Sequence, residues 1–185
     1  MSGARHAAVF ATAVGPCGIV WRADDDVIVG VHLPEVDAAT TARRMRRRFP
    51  TATTAPPSAA VAIVIERIRG LLGGGGDDLA DVAVDLEPMG EFERSVYAVA
   101  RAVPPGSTLT YGEVATRLGS PGLARAVGQA LGRNPVPIIV PCHRVLAAGG
   151  AMGGFSANGG VDTKRRLLFI EGAIDAEPLR LFDQG

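Results

Sequence analysis

At 185 residues with 47% hydrophobic content, the chain can bury a substantial core as one ordinary domain or two small ones. Nineteen basic residues balance nineteen acidic ones, so no overall field announces a nucleic-acid or membrane partner. Two cysteines, Cys17 and Cys142, are too few for a disulfide framework, and no run approaches ~18 apolar residues or resembles a secretion signal, so a reduced, cytoplasmic protein without a membrane span is expected.

Residues 7–15 (AAVFATAVG) and 18–23 (GIVWRA) are strand-like runs broken at Gly15-Pro16, and DDD at 24–26 separates the second from VIVGVHL at 27–33. Turn residues between β-branched runs predict an antiparallel meander. Residues 37–49 suit a helix with an Asp or Thr cap and a strongly basic face, residues 51–58 (TATTAPPS) a linker, and residues 59–72 a second helix. GGGGDD at 73–78 reads as a loop, and the apolar–polar alternation of LADVAVDLE at 79–87 predicts one more strand completing the sheet.

Composition changes after Pro88, which divides the chain into a sheet-and-helix part, 1–88, and a mostly helical part, 89–185. Phe92, Val96, Val99 and Val103 recur near helical spacing until Pro104-Pro105-Gly106. A helix entered through Thr108 or Thr110 and stopped by Gly119, then a Ser-Pro-Gly turn and a helix over 123–134, make a helix-turn-helix pattern. Pro135, Pro137 and Pro141 each deny helix to the residue before them, so PVPIIVPCHRV is expected to be extended. A glycine-rich loop at 147–160 precedes a last helix in DTKRRLLFIEG. Charge concentrates here: residues 94–170 hold nine basic side chains against Glu113 and Asp162, a net +7.

Cys142 admits three readings: a small hydrophobic filler, a metal ligand or a nucleophile. A zinc site needs about four ligands at CxxC or HxxxH spacing, whereas Cys17, Cys142, His6, His32 and His143 are scattered. A rigid proline-framed segment beside a histidine, within the basic stretch, favours the nucleophile. His143, as the adjacent residue on a strand, points elsewhere, so a water or a turn must connect it to the thiol. Glu171 is the nearest carboxylate able to orient the imidazole.

NPVPIIVPCHRV resembles the active-site segment of the O6-alkylguanine-DNA alkyltransferases, and TYGEVA, ARAVGQALGRNP, GGFS and KRRLLFIEG extend the likeness in order from about Phe92 to Gly172. The first 88 residues match that family in style only. The resemblance implies an α/β (α+β) fold: a small antiparallel, ribonuclease-H-like sheet with helices, then a helical part carrying the helix-turn-helix and the cysteine segment. It implies irreversible transfer of an alkyl group from guanine O6 in double-stranded DNA to Cys142, by a self-inactivating monomer needing no metal or cofactor. His143 would deprotonate Cys142 through a water, Glu171 would hold the imidazole, Tyr111 would protonate the departing guanine, and Asn134 would brace the turn before the cysteine. The Cys142 carbonyl and the backbone at Val145 would read the exocyclic amine, and Ser156 would donate on the O6 side. Arg125 would fill the gap left by a flipped base, with Ala124, Ala126 and Gly128 small enough for close approach to the minor groove. Arg133 and the cluster at 164–166 are expected to face the polyanion. Phe155 stands where many relatives carry tyrosine, and the link from Ser156 to Gly160 is longer than in some of them.

Overall fold

The computed structural model describes residues 3–175. Arg5–Thr12 (β1), Gly15–Arg22 (β2) and Ile28–His32 (β3) form the expected antiparallel meander. Ala38–Arg48 (α1) follows, capped by Asp37, whose side chain accepts from the Thr40 amide. Residues 51–58 are not simply a linker: Ala52–Thr54 (β4) pairs in parallel with β1, giving the order β3-β2-β1-β4. Two exposed threonines on a three-residue edge strand leave no alternation to detect. Ala59–Leu72 (α2) starts at Ser58, which accepts from the Val61 amide.

The strand expected at 79–87 is absent. Only Val84 bridges to Ile28, with backbone bonds on either side of it. Asp77 caps the Leu79 amide, Leu79 takes φ 55°, and Arg67 clamps Asp77 and Asp81, so the chain turns instead of pairing. Of its apolar positions Leu79 and Val82 are buried in the loop, and Val84 and Leu86 are partly so.

The second part contains Glu91–Arg101 (α3), Tyr111–Arg117 (α4), Ala124–Gly132 (α5) and Gly160–Ile170 (α6). Leu109–Thr110 (β5) and Val145–Leu146 (β6) pair in parallel. Thr110 begins α4 with a capping box, exchanging bonds with Glu113, and a single turn at Pro121–Leu123 leads into α5. Among the described residues no helix is long and apolar enough to cross a membrane.

Strand alternation sends β2 side chains two ways. Cys17, Ile19 and Trp21 join a large core that also takes Ile65 and Ile68 of α2, Val96 and Tyr97 of α3, and Val140 and Val145 beside the cysteine. Val20 turns to a thinner layer with Ala7 and Val29, covered by Met45 and Phe49 at the end of α1. The end of the Phe49 ring lies against Gly30, where a Cβ would overlap it. Gly30→Ala is therefore expected to cost about 1–3 kcal/mol in urea denaturation. Phe49→Leu in the same chain should recover part of that loss; additive losses would show that the ring is not the obstacle.

Candidate active site

Three prolines leave the segment 135–141 without three of its backbone donors, so the turn cannot satisfy itself. Asn134, only 6% exposed, bridges it from the end of α5: its Nδ2 donates to the Val140 carbonyl at 2.8 Å and its Oδ1 accepts from the Val136 amide at 3.0 Å. Ile138, between them, holds φ 76°, an uncommon conformation for a β-branched residue that the surrounding bonds must enforce. The chain then closes a 3₁₀ turn at Cys142–Arg144, so the cysteine segment is a braced loop and turn and not an extended strand.

Cys142 is partly exposed. Burial by its surroundings pushes the thiol up, while the Asn134 side chain, the Lys164 charge and the backbone amides of Cys142 and His143 pull the other way. Cys17 differs: burial takes it to about 12, so it stays protonated and inert.

His143, 1% exposed, contacts Glu171 Oε1 through Nε2 at 2.8 Å. With a proton on Nε2, the Nδ1 lone pair remains free to accept one. Arg144, fully buried, donates to the same carboxylate through Nε at 2.8 Å and Nη2 at 2.9 Å, and to the Val103 carbonyl through Nη1 at 2.6 Å. Burial raises the Glu171 carboxyl, but the hydrogen bonds from Arg144 and His143 outweigh it and hold it at about 2.

Tyr111 opens α4 directly after β5, whose pairing with β6 carries it to the cysteine turn. Burial, then the nearby Cys142, raises its phenol. Gly153, at φ 65°, lies close over the ring, where a Cβ would stand 3.0 Å from the hydroxyl. Lys164 is also buried; its Nζ donates to the Val145 carbonyl at 2.7 Å and lies 5.6 Å and 6.0 Å from the Tyr111 and Phe155 ring centres. Burial lowers this ammonium to about 8.

Cys142, His143, Glu171, Tyr111, Asn134 and Val145 thus meet at one turn. The Cys142 carbonyl already accepts from the Val145 amide. Arg125 stands apart, exposed in the first turn of α5 with no hydrogen-bond partner among the described residues. Ala124 and Ala126 flank it half-buried, and Gly128 backs onto the Tyr111 ring. Ser156 is exposed on the loop before α6. Among the described residues no three His, Cys, Asp or Glu side chains are placed to hold a metal ion.

The basic stretch is not the surface field its +7 suggested. Lys164 and Arg144 are buried, Arg133 pairs with Glu93, and Arg166 donates to the Ala13 carbonyl. Sequence reasoning missed Arg144 and Lys164 as members of the site. The signal for Lys164 was its register: with Leu167, Leu168 and Glu171 it occupies the buried face of α6.

A sheet-and-helix half packed against a helix-turn-helix half that presents a partly exposed cysteine at a proline-framed turn is a distinctive architecture, and known proteins share it. The profile described as 6-O-methylguanine DNA methyltransferase, DNA binding domain, matches residues 91–173. A methylated-DNA–protein-cysteine methyltransferase of Mycolicibacterium paratuberculosis is 44% identical over 107 residues, 57% of this chain and 64% of that protein, so the match spans just under two thirds of the relative's length. The crystal structure of the Mycobacterium tuberculosis O6-methylguanine methyltransferase is 31% identical with a TM-score of 0.71, covering 97% of this chain and 99% of that one. A structure of the mycobacterial protein in complex with DNA aligns with the same TM-score over 91% and 93%. The chain belongs to the methylated-DNA–protein-cysteine methyltransferase family.

The folded value of Glu171 lies below its ordinary one, so its stabilising contribution is complete above about pH 4.5 and is lost as pH falls toward about 2. Urea midpoints of the wild type should drop through that window. Arg144→Met, leaving a buried carboxylate with fewer partners, should be about 3–5 kcal/mol less stable at neutral pH and should show a shallower acid dependence. Equal acid slopes would mean that Glu171 is not the titrating group.

Proposed function

We propose that this protein repairs O6-alkylguanine in double-stranded DNA by moving the alkyl group to Cys142 once per chain. The observation that carries this reading is the placement of a partly exposed thiol between a buried His143–Glu171 pair and Tyr111, on the half that bears the helix-turn-helix. In the reaction a sulfur–carbon bond forms as the carbon–O6 bond breaks. The thiol proton passes through a water to His143 Nδ1, Glu171 stabilises the imidazolium, and Tyr111 protonates the leaving guanine. Return of the imidazolium proton restores the phenol, so the net transfer is of one proton from sulfur to guanine. The alkyl carbon is itself the electrophile, so no cofactor enters, and the thioether product is stable, so the chain acts once.

A guanine inside a duplex must leave the stack to reach Cys142. Arg125, exposed and without a hydrogen-bond partner among the described residues, beside the small residues Ala124, Ala126 and Gly128, suits insertion into the gap from the minor groove, and on this reading Ser156 and the backbone at Val145 contact the base. The protein works as a monomer of two parts, 1–88 and 89–185, in the cytoplasm.

Incubation with duplex carrying labelled O6-methylguanine should leave one label per chain, on Cys142, and Cys142→Ser should bind the duplex but carry no label. Binding without labelling in the wild type would make the protein a damage sensor, and repeated turnover a hydrolase. Arg125→Ala should slow single-turnover repair of duplex much more than reaction with free O6-benzylguanine, because only the duplex requires extrusion costing a few kcal/mol. Equal losses on both substrates would remove Arg125 from base flipping.

A further inference from the structure

Helix α1 ends in Arg43, Arg44, Met45, Arg46, Arg47 and Arg48, and all five arginines are exposed. No carboxylate follows Asp37 until Glu66, so the helix holds no acid to offset them. Glu35, just before it, takes Arg44 at 3.3 Å. Arg43 donates to the Thr40 hydroxyl at 3.0 Å and Arg48 to the Asn134 carbonyl at 3.1 Å, neither of them a charged partner. Arg46 and Arg47 make no hydrogen bond or ion pair among the described residues. The negative end of the helix dipole favours a cation in the last turn. Repulsion acts the other way: Arg43 stands one turn from Arg46 and Arg47, and Arg44 one turn from Arg47 and Arg48. A solvent-facing helix usually interleaves acids with its bases, and this one does not. Stability alone gives little reason for the cluster, whereas an external polyanion would neutralise it.

The place of the cluster says which polyanion. Through Arg48 the end of α1 touches Asn134, two residues beyond the last residue of α5. Nine positions separate Arg125 from Asn134. At ~1.5 Å per helical residue that is about 14 Å, or about four base pairs at ~3.4 Å each. DNA running along α5 from Arg125 therefore comes to α1 within half a helical turn. We propose that the exposed face of α1, through Arg43, Arg46 and Arg47, is a second phosphate-binding surface that grips the DNA backbone beside the stretch held by α5. The grip is to charge alone and reads no sequence. An acidic protein or an anionic membrane would also attract these side chains, but the contact between α1 and the end of α5 favours the duplex. This inference rests on α5 holding duplex DNA, not on the chemistry at Cys142.

The test is the salt dependence of duplex binding by the full chain, read by fluorescence anisotropy on an undamaged duplex of about twenty base pairs, long enough to pass both helices. The logarithm of affinity falls linearly with that of salt, with a slope of about 0.9 per phosphate neutralised. The double variant Arg46→Gln, Arg47→Gln should flatten the slope by about 1.8 and weaken low-salt binding on the order of tenfold. Each single change should give about half that flattening. Arg46→Lys with Arg47→Lys should keep the wild-type slope, because the attraction is to charge and not to guanidinium shape. The urea midpoint of the glutamine double variant should hold or rise, since repulsion along α1 is relieved. An unchanged slope in the glutamine variant would overturn the proposal. So would a loss confined to phosphatidylserine vesicles or to polyglutamate with duplex binding intact, which would assign the helix to a membrane or an acidic protein. Should the double variant not fold, the two single variants decide by the same measure. Wild-type protein that binds duplex yet takes no benzyl group from O6-benzylguanine would sink the functional reading and leave the α1 surface standing.

Discussion

Prolines at 135, 137 and 141 make the reactive turn rigid and also strip it of donors. Backbone acceptors in a buried segment must be filled, so the turn borrows from its surroundings. Asn134 supplies an amide to Val140, β3 supplies the Val31 amide, α1 supplies Arg48, and α6 supplies Lys164 to Val145. Each loan ties a different element to the cysteine. The elements meet where they do because this stretch cannot satisfy itself locally.

The buried charges follow from the same geometry. Arg144 and Lys164 are cations, Glu171 is one anion, and all three side chains lie beneath the thiol turn with almost no solvent contact. An ion pair of this kind adds little to stability against a well-packed apolar substitute. Its consequence is electrical: the cluster carries one more positive than negative charge near a sulfur whose burial favours the neutral thiol. The Lys164 charge and the Asn134 side chain act against that burial. They lessen, without cancelling, the rise that burial imposes on the thiol.

Elements marked by caps and period were legible in the sequence. Asp37 and Ser58 start α1 and α2, Thr110 starts α4, and the meander follows its turn residues. Local signals failed where the cause lay elsewhere in the chain. β4 forms because β1 has a free edge, and 79–87 stays unpaired because Arg67 clamps two aspartates across it. In the site, Cys142, His143 and Glu171 were visible from residue type, motif and resemblance. Arg144 and Lys164 were not, because a pattern reading assigns charged residues to the surface. Arg48 was hidden for another reason: among five arginines in six residues, nothing in the sequence says which one bonds the Asn134 carbonyl.

That same economy changes how a neutral chain can hold DNA. Of the nine basic residues between 94 and 170, Arg94 and Arg101 bond backbone carbonyls, Arg133 pairs with Glu93, Arg166 reaches Ala13, and Arg144 and Lys164 are buried. Arg117, Arg125 and Arg165 remain exposed without hydrogen bonds among the described residues. Phosphate attraction grows with the number of phosphates that basic side chains neutralise, and three unpaired arginines give a modest hold. Binding on the proposed reading must therefore draw on shape: a helix face of Ala124, Ala126 and Gly128 that lets the backbones come close, and one arginine placed to enter the stack. On the proposed reading, discrimination between damaged and undamaged DNA would come from the extruded base and not from phosphate contact.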